Sequence, residues 1–323
     1  MQFHGDYLGH GRQPSSNRLL LHTLQACLIY FKAKGRDMEV FVTGFLPLTV
    51  VLIMFSLGLD LSPADFRRIA ERPRAFCIGA LNQIILLPLI AYVIILVFGF
   101  TAETAVGIMI LAACPGGAAS NIITKLAGWD VALSVTLTAT FSLTCVVTIP
   151  IILGFAVTQF MGVNAPEINI ASTAISTFLL TALPITLGVT FRAAVPNITE
   201  DVAPILAKVA LILFVGVIAG AIASNWQVVT ENIARLGVGL FTLIAALSVI
   251  GFVSSRFLRA SAREAKTIAI ETGVQNGALA LAISGLLVVH GPTFNAYAIP
   301  AALYSVVWLT TALPMFLLIA RSR

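Results

Sequence analysis

From residue 40 onward the chain is a succession of long apolar runs separated by short polar intervals: 40–61, 75–98, 103–127, 131–157, 170–191, 202–224, 233–257, 267–289 and 294–319. Each reaches or exceeds the roughly 20 residues that a helix needs to cross a bilayer. The pattern predicts an all-α, polytopic membrane protein of about nine transmembrane helices, packed as one bundle because the intervals are short. Residues 1–37 do not follow the pattern. Residues 1–17 are polar, and the apolar run 19–31 is interrupted by His22 and Gln25 and is too short to span. No small-residue cleavage site follows it, which argues against a secretory signal. Met38 stands directly before the first strong helix, so translation is expected to start there, with an interfacial helix at 1–37 as the alternative.

Two of the runs carry polar interruptions: Cys114-Pro115-Gly116-Gly117-Ala118-Ala119-Ser120-Asn121 in the third, and Glu271-Thr272-Gly273-Val274-Gln275-Asn276-Gly277-Ala278 in the eighth. Proline removes a backbone donor and glycine lowers helix stability, so each stretch should begin or break a helix. Broken backbone at membrane depth persists only inside protein or beside a watery cavity. Both stretches are therefore expected to meet near mid-membrane and build an ion site. They lie five spans apart, an odd number, so the halves that contain them have opposite orientation, the arrangement of inverted-repeat transporters. Spans five to nine form one half; the first four lack a counterpart to the fifth.

Composition agrees with a membrane protein. Of 323 residues 59% are hydrophobic and 10% charged, with a mean hydropathy of +0.99, whereas soluble domains are about a quarter charged. The net charge of +5 does not point to nucleic acid, because the basic residues lie between apolar runs and form no stripe with aromatics. They report topology instead. Arg67, Arg68, Arg72, Arg74, Lys125, Arg192, Arg256, Arg259, Arg263, Lys266, Arg321 and Arg323 fall on one side; beyond Met38 the other side has Arg235. The C-terminus is thus expected in the cytoplasm of a cell whose plasma membrane, the inner membrane in a bacterium, holds the chain. Arg12, Arg18, Lys32, Lys34 and Arg36 fit poorly outside, which again favours a start at Met38. Cys27, Cys77, Cys114 and Cys145 lie singly in apolar segments, and His4, His10, His22 and His290 are scattered, so neither type suggests a zinc site.

Most acidic residues sit at predicted span ends or between spans; Glu271 sits inside one, a turn from its expected start. An intramembrane carboxylate usually faces a partner or a cavity, and Gln275 shares its helical face. Lys208 also lies within a span, but its long stem can carry the charge to the headgroups. Ser120 and Asn121 close the first break, Ser134 and Thr138 share a face of the fourth span, and Asn82 and Gln83 lie near Pro88 in the second. Taken alone, the two hydroxyls could simply bond the backbone or a neighbouring helix. Together with a carboxylate, amides and freed carbonyls they make a hard-cation ligand set, and Na⁺ suits its single negative charge. A half-helix starting near Ala118 would aim N–H groups at an anionic substrate. No Walker sequence indicates a nucleotide-driven pump, and Ser120 has no histidine beside it in the pattern to make a hydrolase, so no enzyme activity is expected.

These residues resemble the bile acid:sodium symporter family in its nine-span form. The resemblance covers the chain after Met38 and is carried by Phe55-Ser56-Leu57-Gly58-Leu59, the Cys114–Asn121 stretch, Val131-Ala132-Leu133-Ser134-Val135 and Glu271-Thr272-Gly273-Val274-Gln275-Asn276. It implies an inverted-repeat fold in which two discontinuous helices cross, with a panel of helices 40–61, 170–191 and 202–224 and a core of 75–98, 103–127, 131–157, 233–257, 267–289 and 294–319. It implies two sodium sites: Ser120, Asn121, Ser134, Thr138 and Glu271 in one, and Gln83, Glu271, Gln275 and the carbonyls of Thr272 and Val274 in the other. Pro115, Gly116, Gly117, Ala118, Asn121 and Asn276 would face the substrate. Some members carry His or Asn in the last helix where this chain has Trp308-Leu309-Thr310. The implied function is sodium-coupled symport of an organic anion, a bile acid or small carboxylate, by alternating access, with the lipid bilayer and no obligatory protein as surroundings. Efflux of a small oxyanion or metalloid such as arsenite, with Cys114 as a soft ligand, and a passive anion channel are the alternatives.

Overall fold

Apolar side chains leave the backbone no water to bond, so it must close its hydrogen bonds within helices. The computed structural model, which describes residues 35–62, 65, 67, 73–100, 102–164, 169–224, 226–287, 295–312 and 314, is built in this way. Its helices are α1 Gly35–Asp60, α2 Pro73–Leu81, α3 Leu87–Phe98, α4 Ala102–Ala113, α5 Ala118–Leu126, α6 Val131–Met161, α7 Ile170–Leu180, α8 Ala182–Ala194, α9 Pro196–Ser224, α10 Trp226–Phe257, α11 Ala262–Gly273, α12 Gly277–Gly285 and α13 Ile299–Val307. Among the described residues, five segments are long and apolar enough to cross a bilayer: Pro73–Phe98, Val131–Met161, Ile170–Ala194, Pro196–Ala223 and Trp226–Phe257. The expected runs 103–127 and 267–289 are each split into two half-helices, α4/α5 and α11/α12. The expectation for residues 1–37 falls outside the described residues up to Gly35, where α1 begins, and the end of the run 294–319 lies outside them as well.

Local chemistry sets the joints. A π turn, Asn82–Leu86, links α2 to α3. Pro88 lies just beyond and has no N–H to return to the turn before it, a local reason for the wider winding. A second π turn, Trp308–Ala312, stands likewise just before Pro314. Helix α3 ends at Gly99, whose φ of 58° suits glycine. Arg235, set apart in the charge pattern, donates to the carbonyls of Phe98 and Gly99, the latter at 2.7 Å, and lies over the Phe100 ring. It caps a helix C-terminus with positive charge.

Helix α11 starts five residues before the expected 267. Ser261 and Glu264 form a capping box that fixes its N-terminus. Arg263 donates to the Trp129 carbonyl at 2.9 Å, and Lys266 lies over the Trp129 ring. The interfacial charges thus belong to the helix, and Glu271 is carried to its last turn.

Helix α1 packs mainly on α8 and α9. The α1–α8 approach is set by Gly58 and Gly188: a Cβ on Gly58 would run into the Ile185 carbonyl oxygen and Gly188, and one on Gly188 into the Phe55 carbonyl oxygen and Gly58. Small residues of this kind let membrane helices pack backbone to backbone. Helix α4 is enclosed from Ala105 to Ala113 by α3, α6, α12 and α13, and α11 lies against α10 and α6. The two breaks are therefore held at the centre of the packed helices.

Candidate functional site: the crossing of two broken helices

The breaks bond to each other. The Asn276 N–H donates to the Pro115 carbonyl at 2.9 Å and the Gly117 N–H to the Val274 carbonyl at 3.3 Å, an antiparallel bridge between Gly116 and Gln275. Both chains have left helical geometry here, and each uses the other to satisfy groups that the helices release. Tyr304 of α13 completes the repair. Its hydroxyl donates to the Gly273 carbonyl at 2.9 Å and accepts from the Gln275 N–H at 2.7 Å. Two helix C-termini, of α4 and α11, and two N-termini, of α5 and α12, converge on the crossing. Carbonyl ends favour cations and N–H ends favour anions.

Glu271 lies in the last turn of α11 and is 2% exposed. One carboxylate oxygen accepts from Thr138 and the other from Ser134 at 3.0 Å. Gly116 leaves no room between the crossing and this carboxylate: a Cβ there would fall on it. Ser134 also reaches Asn121 Oδ1 at 2.7 Å, and Thr138 reaches the same oxygen at 3.3 Å. Each hydroxyl carries one proton and faces two acceptors. Thr124 Oγ1 stands 3.5 Å from Ser134 Oγ, and Ser120 donates to the Gly117 carbonyl at 2.7 Å. Lone pairs outnumber protons, and no Lys, Arg or His bonds to Glu271 among the described residues. A buried carboxylate needs a compensating charge, and this oxygen set fits a hard cation. Among the described residues no cluster of three His, Cys, Asp or Glu side chains could hold a metal.

The second set lies beside it. Gln275 Nε2 donates to the Thr272 carbonyl at 2.8 Å, and its Oε1 accepts from Gln83 Nε2 at 2.9 Å. Gln83 Nε2 also donates to the Cys114 carbonyl at 2.9 Å. The Val274 carbonyl is engaged by Gly117 as described, and Thr272 Oγ1 is tied to the Ile268 carbonyl at 2.7 Å. The expected ion residues Ser120, Asn121, Ser134, Thr138, Gln83, Glu271, Thr272, Val274 and Gln275 are thus linked around one crossing.

Of the residues expected to face substrate, Pro115 and Gly117 are occupied in holding the bridge, and Gly116 makes room for Glu271. Asn276 caps α12: its Oδ1 accepts from the Leu279 N–H at 3.0 Å. That bond fixes the amide so that Nδ2 is left buried without a partner. Asn121 uses its oxygen within the first ion set; the side chain of Ala118 is not among the described ones. Sequence reasoning did not find Tyr304, Thr124, or a small open cleft lined by Gln83, Pro115, Phe141, Thr144, Thr148 and Ile152. The spacing of Ser134, Thr138, Thr144 and Thr148 along α6 was the available signal for the last.

The Sodium Bile acid symporter family matches residues 47–232. An uncharacterized sodium-dependent transporter of Bacillus subtilis is 27% identical over 269 residues, 82% of this chain and 79% of the relative. A probable chloroplastic sodium/metabolite cotransporter of Oryza sativa is 30% identical over 227 residues, 70% of this chain and about half (53%) of the relative. The human ileal sodium/bile acid cotransporter is 27% identical over 254 residues, 78% of this chain and 72% of the relative. The family match covers more than half of the chain, over the first break and the helices around it, and the chain belongs to the Sodium Bile acid symporter family, as an all-helical, multi-pass integral membrane protein.

Proposed function

We propose that this chain is a sodium-coupled symporter that takes up an organic anion by alternating access. The observation that carries the reading is the buried Glu271 carboxylate, surrounded by more oxygen lone pairs than protons and placed at a helix C-terminus. Na⁺ held by Ser120, Asn121, Ser134, Thr138 and Glu271 would neutralise it and relieve the competition of Asn121 and Glu271 for the same two hydroxyl protons. A second Na⁺ would be held by Gln83, Glu271, Gln275 and the Thr272 and Val274 carbonyls. Together the two cations would tie α5, α6, α11 and the π turn, because the first takes ligands from α5, α6 and α11, the second from α11 and the π turn, and Glu271 is common to both.

The unpartnered Asn276 Nδ2 and the N-termini of α5 and α12 supply donors for a carboxylate. Sodium and anion then favour one arrangement of the crossing, and that shared preference is the coupling. The relatives' names speak of sodium with bile acids or metabolites, which supports an organic anion as cargo. Helices α1, α7, α8 and α9 form the panel against which the remainder, the core, moves. The C-terminus faces the cytoplasm by the distribution of Arg and Lys.

Proteoliposomes test the reading. An inward Na⁺ gradient is expected to concentrate a radiolabelled carboxylate, cholate or a small keto acid, above its external level; a K⁺ gradient is not. Glu271→Gln keeps the shape and removes the charge, and is expected to lower sodium-stimulated uptake at least about tenfold, since the lost attraction exceeds roughly 1.4 kcal/mol. Uptake by wild-type protein at the same rate in sodium-free medium refutes the coupling, and equilibration without accumulation would make the protein a channel.

A further inference from the structure

Two helices meet at the first ion set in step. Along α6, Asp130, Ser134 and Thr138 follow at four-residue intervals, and along α11 so do Thr267 and Glu271; each series therefore lies on one face of its helix. Glu271 accepts from Ser134 at 3.0 Å and from Thr138. One turn earlier on both helices, the Asp130 N–H donates to Thr267 Oγ1 at 3.0 Å. The two helices are thus joined as a ladder, with the ion set as the upper rung and the Asp130–Thr267 bond as the lower.

The lower rung has a specific origin. Asp130 is the N-cap of α6. In a capping box the N-cap residue gives its own N–H to a Glu or Gln three positions on, as Ser261 and Glu264 do in α11. Leu133 holds that position in α6 and its side chain has no acceptor to return; its N–H donates to Asp130 Oδ1 at 3.1 Å. Thr267 supplies the missing acceptor from another helix. It is fully buried, and it is used differently from Thr272, whose hydroxyl goes to the Ile268 carbonyl of its own helix at 2.7 Å, the common habit of membrane threonines. The same turn also closes α5. Gly128, with φ 67°, carries the chain out of that helix, and the Trp129 N–H donates to the Thr124 carbonyl at 3.0 Å. Arg263 and Lys266 hold Trp129 from the α11 side. All three helices that carry the first ion set are therefore fastened together at one turn.

We propose that Thr267 is a positioning residue of the first sodium site: it sets the register of α11 against α6 and so places the Glu271 carboxylate between the Ser134 and Thr138 hydroxyls. The inference rests on the sodium reading above. A slip of one residue along a helix is about 1.5 Å. Hydrogen bonds tolerate a spread of several tenths of an ångström, whereas the oxygens of a hard cation must all stand at nearly one distance from it. Ion binding therefore loses more from a slip than the hydroxyl bonds to Glu271 do. Without the lower rung, α11 keeps its cap at Ser261 and its packing on α10, so the helix persists; what is lost is the fixed point one turn from the carboxylate. Because that point contributes no ligand, it holds the register when the ion leaves as well as when it is bound.

Equilibrium binding of radiolabelled Na⁺ to the purified full-length chain, with the unfolding temperature measured separately, tests the positioning role. Thr267→Val keeps the shape and leaves the Asp130 N–H without an acceptor. It is expected to weaken sodium binding about tenfold, the size of one hydrogen bond, and to reduce the preference for Na⁺ over Li⁺, because a loosened site can close on the smaller ion. Thr267→Ser restores the acceptor and is expected to bind within about twofold of wild type. Ser261→Ala removes the capping box of the same helix; it should lower the unfolding temperature as Thr267→Val does, with sodium affinity and the Na⁺/Li⁺ preference unchanged. If Thr267→Val is less stable yet binds sodium as wild type does, Thr267 only supports the fold and its positioning role is excluded. If Ser261→Ala weakens binding as much as Thr267→Val, affinity follows helix stability rather than register, which excludes the role as well. Should Thr267→Val not fold, Thr267→Cys, a weak acceptor of nearly the same size, takes its place, with an expected loss of about threefold against the same control. Wild-type protein that binds no sodium removes the sodium reading and the inference with it.

Discussion

A carboxylate in the last turn of a helix sits against the negative end of the helix dipole, and burial adds a desolvation cost. Glu271 accepts both without a basic partner among the described residues, which is why a cation is the natural complement. The neighbour that permits this is Gly116. Any side chain there would occupy the position of the Glu271 carboxylate, whereas a Cβ at Gly117 would meet the Gln275 carbonyl oxygen at 3.4 Å, the edge of ordinary contact. Gly116→Ala is therefore expected to displace the carboxylate from Ser134 and Thr138, and Gly117→Ala to be far milder. The measurement is the thermal stabilisation of purified protein by NaCl, which for a ligand at a hundred times its Kd is about 2.7 kcal/mol. Gly116→Ala should lose most of it, with helix content unchanged by circular dichroism; Gly117→Ala should keep most of it. Equal losses would mean that the backbone bridge, not the carboxylate, governs sodium binding.

Helix breaks were readable where the cause was local. Proline or glycine beside amides and hydroxyls within an apolar run marks α4/α5 and α11/α12 without any tertiary knowledge. The start of α11 was misplaced because Arg263, Glu264 and Lys266 read as a polar interval, although their capping box and Trp129 contacts make them helix. The π turn at Asn82–Leu86 has a local cause in Pro88, but Tyr304 serves groups 31 and 29 positions away, which is not a local matter. Nothing local to Thr144 and Thr148 sets their hydroxyls apart from the many membrane threonines that bond their own helix. Tyr304 carries a prediction at this scale. Tyr304→Phe keeps the ring and leaves a buried carbonyl and a buried N–H unpaired, at about 1–3 kcal/mol for such a loss. A lower unfolding temperature in detergent is expected, together with weaker sodium binding, because the α11 break is no longer pinned. A variant as stable as wild type would show that the bridge to the first break suffices.

At the scale of the whole molecule, alternating access requires that α1, α7, α8 and α9 shift against the core while the crossing stays intact. One place where the proposed bodies touch is where α6 meets the kink between α7 and α8. There Cys145 Sγ lies 3.6 Å from Thr181 Oγ1, and both residues are buried. Side chains this close can be joined by a disulfide when the second is made cysteine, so Thr181→Cys places a reversible lock across the proposed sliding surface with the chain's own Cys145 as its partner. Neither residue belongs to the ion sets or the cleft. Oxidation with copper phenanthroline is expected to stop sodium-driven uptake almost completely, and dithiothreitol to restore it. Stabilisation by NaCl should survive in the oxidised form, because binding needs only one arrangement of the bodies whereas transport needs two. If the oxidised protein still transports, helices α6 and α8 move as one and the boundary between the bodies lies elsewhere. If oxidation removes sodium binding along with transport, the lock distorts the crossing itself, and the panel and core would not be the independent bodies that the mechanism requires.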